Sequence, residues 1–125
     1  MSSMWLVIVC SFIVPLLMII SGVIFLRRTP QKINCIFGYR TSMSMLNKDT
    51  WKFAHMCCGK IWCKCGLICF GLTLIIMVCC LVINKNIIET LSVVVILLQC
   101  IMIFVTIFVV ERKLKSNFDK EGNRK

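Results

Sequence analysis

The sequence contains little charge, and little of that charge is negative. Of its 125 residues, 16% are charged, with 5 Asp or Glu against 15 Lys or Arg. Hydrophobic residues make up 59%, whereas ordinary soluble domains contain about 45–50%. This composition argues against both a soluble globular domain and a disordered chain. The excess of cations is therefore more informative about the two sides of a membrane than about nucleic acid.

Residues that support catalysis or ion transport are also scarce. His55 is the only histidine, and the sequence contains no Ser/His/Asp set, metal-protease motif or phosphate-binding loop. Its long apolar stretches contain no Asp, Glu, Lys or Arg, although pumps place ionisable groups inside the helix bundle. We therefore expect a protein that is not an enzyme, needs no cofactor and binds no nucleic acid.

Three uncharged stretches predict an all-α integral membrane protein. They cover about residues 4–26, 65–84 and 90–110. Charged residues lie at both ends of the second and third stretches, and Arg27 and Arg28 follow the first. Each is long enough to cross a bilayer core of about 30 Å, which requires about 20 helical residues. None alternates strictly like a membrane β-strand.

The first stretch lacks a basic start and a small-residue cleavage site, so we expect it to remain part of the protein rather than be removed as a signal peptide. Residues 1–125 then form a single membrane domain.

The distribution of cations predicts the orientation. Residues 27–64 contain eight Lys or Arg, residues 111–125 contain six, and the turn at 84–89 contains one. The positive-inside rule makes 27–64 a cytoplasmic motif segment and 111–125 a cytoplasmic basic tail. The N-terminus and the 84–89 turn then face outward, in a multi-pass protein of the cell membrane.

The motif segment contains a helical pattern before the second span. Asn47 is a suitable N-cap, and Asp49 lies in the first turn, where the helix dipole favours a carboxylate. One helical face then carries Trp51, Ala54, His55, Cys58 and Trp62. The pattern predicts a cytoplasmic interfacial amphipathic helix, with Trp51 and Trp62 in the aromatic belt.

Ten cysteines require an interpretation. Those inside the apolar stretches behave as small hydrophobic residues. A cluster of soft ligands near the second span could suit zinc or copper: His55, Cys57, Cys58, Cys63 and Cys65. It lacks paired C-x₂-C knuckles, and the neighbours Cys57 and Cys58 point about 100° apart on a helix. We therefore expect no metal site, with a thiol- or metal-based membrane sensor as an alternative function.

The motif segment resembles the signature of the SdpI family. These are small bacterial membrane proteins related to the immunity protein against a sporulation-delaying toxin. The resemblance rests on a Pro30–Asn34 lead-in followed by Gly38-Tyr39-Arg40-Thr41, Ser44-Met45, Asn47, Trp51, Ala54-His55 and Gly59-Lys60. Ser42 stands where the family commonly has proline.

The resemblance implies a role in immunity against a membrane-active toxin. Besides the lipid bilayer, the candidate partners are a toxin peptide, a captured cytoplasmic regulatory protein and a second copy of the chain. The candidate recognition surface consists of Gly38, Tyr39, Arg40, Thr41, Asn47, Trp51, His55, Gly59 and Lys60. Arg40 has a structural alternative, in which its planar guanidinium pairs with a lipid phosphate, a helix carbonyl or Asp49. A rival function is a small accessory or scaffold subunit of a larger membrane complex.

The charge distribution yields a topology test. Reporter fusions within residues 34–48 and after Asn123 should read cytoplasmic, and a fusion at Asn86 should read external. A cytoplasmic reading at Asn86 would rule out the three-span arrangement.

Overall fold

The protein folds into three long α-helices. The computed structural model describes residues 2–29, 32–33 and 38–125. Within them, α1 is Ser2–Arg27, α2 is Lys48–Ile83 and α3 is Ile88–Asn117, and a short 3₁₀ turn at Lys85–Ile87 joins α2 to α3. The described part contains no β-strand beyond one isolated bridge, which confirms the all-α prediction.

All three helices are long and apolar enough to cross a membrane. Their outward faces expose large apolar side chains, such as Val82, Ile83 and Phe104, that water would solvate poorly. The predicted number of helices of membrane-spanning length is confirmed, and the fold fits a multi-pass membrane protein. The last turns of α1, the first turns of α2 and the end of α3 lie together, and we call this the basic end of the bundle.

A separate interfacial helix is absent from the described residues. The segment predicted to form it is the first part of α2, which runs unbroken for 36 residues, or about 54 Å at about 1.5 Å per residue. Asn47 caps α2 as predicted, since its side-chain oxygen accepts a hydrogen bond from the Thr50 N–H at 2.9 Å. The predicted amphipathic face is covered by the chain itself, since Trp51, His55 and Cys58 are buried.

α1 and α2 approach each other through glycines. A Cβ added at Gly22 would lie 2.8 Å from Sγ of Cys63, and one added at Gly66 would lie 2.7 Å from Cγ1 of Ile19. Gly59 likewise faces the carbonyl oxygen of Gly22, at 3.0 Å from an added Cβ. Small residues allow close backbone approach in a lipid environment, where packing between helices replaces much of the hydrophobic driving force.

The interior consists of two apolar clusters with a polar layer between them. The cluster at the basic end contains Phe25, Tyr39, Ala54, Cys58, Val110, Leu114 and Phe118. The cluster at the opposite end contains Ile8, Met77, Cys80, Ile88 and Val95. Between them, Nε2 of Gln99 donates to the carbonyl oxygen of Ser11 at 3.1 Å and to Oγ1 of Thr73 at 3.0 Å. One α3 side chain therefore joins all three helices.

The close α1–α2 packing predicts unequal effects of valine at two glycines of the same helix. Gly66→Val should lower the free energy of unfolding by about 1–3 kcal/mol, because the new side chain overlaps α1. Gly71→Val is the matched control, since no atom lies within 4 Å of an added Cβ at Gly71. Thermal unfolding in detergent, followed by circular dichroism, measures both. Equal midpoints for the two variants would contradict the close approach.

Candidate functional site

The segment from Gly38 to Asn47 folds over the basic end and begins with a glycine that its conformation requires. Gly38 has a φ of +114°, a region that residues with a Cβ rarely adopt. An added Cβ would also overlap Nε2 of His55 and lie 3.3 Å from Cη2 of Trp51. Gly38 therefore permits both the backbone turn and the close contact with α2.

His55 attaches this segment to α2. Its Nε2 accepts a hydrogen bond from the backbone N–H of Tyr39 at 2.9 Å, and its Nδ1 lies 2.7 Å from the carbonyl oxygen of Trp51. Since the Tyr39 N–H can only donate and the Trp51 carbonyl can only accept, the partners assign a neutral ring with its proton on Nδ1. His55 is fully buried, with the ring of Phe25 against it at 4.9 Å between centroids. Both ring nitrogens are thus used in holding the fold.

Glu111 attaches the same segment to α3. One carboxylate oxygen, Oε1, accepts hydrogen bonds from the hydroxyl of Tyr39 at 2.9 Å and from the hydroxyl of Thr41 at 2.5 Å. Burial raises the pKa of the Tyr39 phenol far above its usual 10.0, and the nearby carboxylate of Glu111 raises it further. The phenol therefore remains a neutral donor to the carboxylate throughout the physiological range.

A compact turn completes the segment. The Thr41 N–H donates to Oγ of Ser44 at 2.8 Å, and the Ser44 hydroxyl in turn lies 3.1 Å from the carbonyl oxygen of Tyr39. The hydroxyl of Thr50, in the first turn of α2, lies 3.0 Å from the carbonyl oxygen of Ser44. Side-chain hydroxyls thus satisfy backbone groups that have no helix or sheet partner.

The C-terminal residues pack against this turn. Phe118 is buried in the apolar cluster of the basic end, and Arg124 lies over its ring at 5.1 Å. Gly122, with a φ of +87°, brings its carbonyl oxygen within 2.6 Å of Nδ2 of Asn47. The predicted basic tail therefore includes a folded turn. We use the term cap for residues 38–47 and 118–125 together.

The structure brings most of the predicted recognition residues together but places few of them on the surface. The cap and the first turns of α2 bury or half-bury Gly38, Tyr39, Thr41, Asn47, Trp51 and His55. Gly59 lies against α1, about three turns into α2. Of the nine predicted residues, Arg40 and Lys60 are exposed.

The expected position of the tryptophans in the aromatic belt is wrong for Trp51, which is 1% exposed. Its ring lies 4.3 Å from that of His55, inside the cap contact. Trp62 is also held within the bundle, since its Nε1 donates to Oγ1 of Thr106 at 3.0 Å. The periodic face of α2 is therefore buried against protein rather than against lipid headgroups.

Sequence reasoning missed two contributors to the site. In the sequence, Glu111 is only a charge that bounds the third apolar stretch, and Phe118 lies in the predicted basic tail. The available signals were an acidic residue and an aromatic residue in a stretch otherwise dominated by cations. Neither signal identifies a partner about 70 residues away in the sequence. Tyr39 comes within hydrogen-bond distance of Glu111 only in the folded chain.

The cysteines do not converge in the described part of the chain. No group of three or more His, Cys, Asp or Glu residues there could hold a metal ion. The described cysteines are free thiols, and Cys58 is fully buried in the cluster of the basic end. Cys35 and the Pro30, Gln31 and Asn34 positions of the lead-in lie outside the described residues.

Comparison with known proteins defines the class. The model of the SdpI/YfhL protein family matches residues 31–110, and the chain belongs to this family. It is similar to the protein YfhL of Bacillus subtilis (strain 168), which is described as uncharacterized, with 33% identity over 60 residues. That match covers 48% of this chain and 54% of the relative, so the chain matches about half the length of its curated relative. No solved structure gives a significant match.

The environment of Tyr39 predicts a distinctive alkaline titration. Tyr39 is the only tyrosine, so the near-ultraviolet absorbance of phenolate reports it alone. In detergent, the folded protein should show no phenolate at about pH 10, where an unfolded tyrosine is half ionised. Because the folded pKa is raised, the stability contributed by the neutral phenol is complete below about pH 10 and is lost as the pH rises through the folded pKa.

Glu111→Gln separates the two causes of this shift. The variant removes the negative charge but keeps an acceptor oxygen, so its Tyr39 pKa should lie below that of the parent and above that of the unfolded chain. Denatured protein is the reference. A folded parent that titrates together with the denatured reference would contradict the described contact.

Proposed function

We propose that this chain is a non-enzymatic membrane protein that protects its cell from a membrane-active peptide toxin. The observation that carries the proposal is the position of the family signature in the fold. Gly38, Tyr39 and Thr41 join the cap to the helix bundle through His55 and Glu111. The cap is thereby held at one end of three helices of membrane-spanning length.

The proposal includes an orientation. With the basic end in the cytoplasm, the cations follow the positive-inside rule, and the cap lies at the inner membrane surface. The hydroxyl of Thr29, just beyond the end of α1, contacts Sδ of Met56 at 3.8 Å. The turns of α2 before Met56 therefore extend past α1, which supports a headgroup or cytoplasmic position for the segment predicted to be interfacial.

The exposed residues of the signature are the proposed contacts for a partner. Arg40 adjoins the buried Tyr39, and Lys60 projects from α2. Arginine offers a planar set of donors suited to carboxylates, which a peptide toxin or a cytoplasmic regulatory protein would supply. The buried residues position these cations but are not themselves accessible to a partner.

Protection can be tested in bacteria that lack their own immunity protein. Cells that express the parent chain and are exposed to the sporulation-delaying toxin should survive and retain their membrane potential. Arg40→Ala should reduce protection by about tenfold or more, the equivalent of one charge-assisted hydrogen bond. Arg40→Lys should restore it only partly, because lysine keeps the charge but loses the planar donors.

Lys115→Ala is the matched control, since it removes an exposed cation of α3 outside the signature. It should protect as the parent does, with all variants compared at equal abundance in the membrane. Equal survival of cells with and without the parent chain would falsify the protective role. Loss of abundance confined to the Arg40 variants would instead favour the structural role of that side chain.

A further inference from the structure

A cationic cleft opens between the end of α1 and the first turns of α2. Its volume is about 730 Å³, and its lining consists of Leu26, Arg27, Arg28, Thr29, Lys48, Lys52 and Met56. Ligand clefts typically have about 300–1,000 Å³. Among the described residues, the lining contains four cations and no carboxylate. Two other cavities at the same end each include a carboxylate, that of Glu111 in one and Asp119 in the other. A third cavity, which shares Met56 with the cleft, has two lysines in its lining.

Helix geometry explains why these cations converge. Lys48, Lys52 and Met56 are spaced four residues apart, so they lie along one face of α2. The contact between Thr29 and Met56 sets the end of α1 against that face, with Arg27 and Arg28 just before it. The arrangement is electrostatically unfavourable when empty, since Lys48 and Lys52 lie at the positive end of the α2 dipole and face two arginines.

The cleft also has a defined depth in the bundle. A Cβ added at Gly59 would meet Cγ of Leu26 at 3.0 Å, so the floor of the cleft coincides with the last apolar turn of α1. Leu26 and Met56 form an apolar lower edge, and the cations lie beyond it. In the orientation proposed above, this is the depth of the phosphate groups in the inner leaflet.

We propose that this cleft binds the headgroup of an anionic phospholipid, with its phosphate among the four cations and its glycerol and upper acyl chains on Leu26 and Met56. Basic pockets between helices on the cytoplasmic side suit such headgroups. The inference rests on the membrane placement in the proposed function and is independent of toxin protection.

The test measures lipid binding to the purified full chain in detergent. Native mass spectrometry with added phosphatidylglycerol should show specific adducts, and phosphatidylcholine should give far fewer. The double variant Arg27→Gln/Lys52→Gln should bind phosphatidylglycerol about tenfold or more weakly, because each juxtamembrane cation contributes to attraction of anionic lipid. Both side chains are exposed, so the fold should be unaffected, and circular dichroism checks this.

The control is Lys115→Gln/Lys120→Gln, which removes the same charge from exposed positions outside the cleft. It should bind phosphatidylglycerol as the parent does. Equal weakening of the two double variants would overturn the site in favour of diffuse attraction. If free glycerol phosphate at equal concentration displaces the lipid, the ligand of the cleft is a soluble phosphate rather than a phospholipid, and the proposal is wrong. Toxin survival is scored separately, so its loss or retention does not bear on this result.

Discussion

The carboxylate of Glu111 is the contact on which the basic end of this protein depends. A charged group at the end of an apolar helix is stable only if donors compensate for its lost hydration. The hydroxyls of Tyr39 and Thr41 supply those donors. Their position brings the backbone of Tyr39 against His55, and this approach in turn requires the glycine at position 38. One half-buried acceptor on α3 thus holds the family signature, which His55 joins to α2.

The same demand for satisfied polar groups operates deeper in the bundle. Lipid offers no hydrogen bonds, so polar side chains in spanning helices must find partners within the protein. The side-chain nitrogen of Gln99 meets this demand by donating to α1 and α2 at once. Its Oε1 is buried without a hydrogen-bond partner among the described residues. The close approach of α1 and α2 at Gly22, Gly59 and Gly66 brings the helices near enough for such contacts.

The family signature has a mainly architectural part in this fold. Its buried members hold the cap on the bundle, whereas Arg40 and Lys60 remain exposed. In the functions proposed above, binding depends on the exposed cations and on the cleft between α1 and α2, whose residues extend beyond the signature.

Length and hydropathy alone were sufficient to predict three membrane-length helices, because a spanning helix must be apolar over its whole length. Local chemistry also predicted that Asn47 is the N-cap of α2, since helix capping involves residues only three positions apart. The periodicity around Trp51 showed that one face of α2 is buried. It could not show what buries that face, because lipid and protein interior are similarly apolar.

Three features join residues that are far apart in the chain: the pairing of Tyr39 with Glu111, the folded turn after Phe118 and the cationic cleft. These features exist only once the helices have packed, because packing alone sets which distant groups come within hydrogen-bonding or Coulombic range.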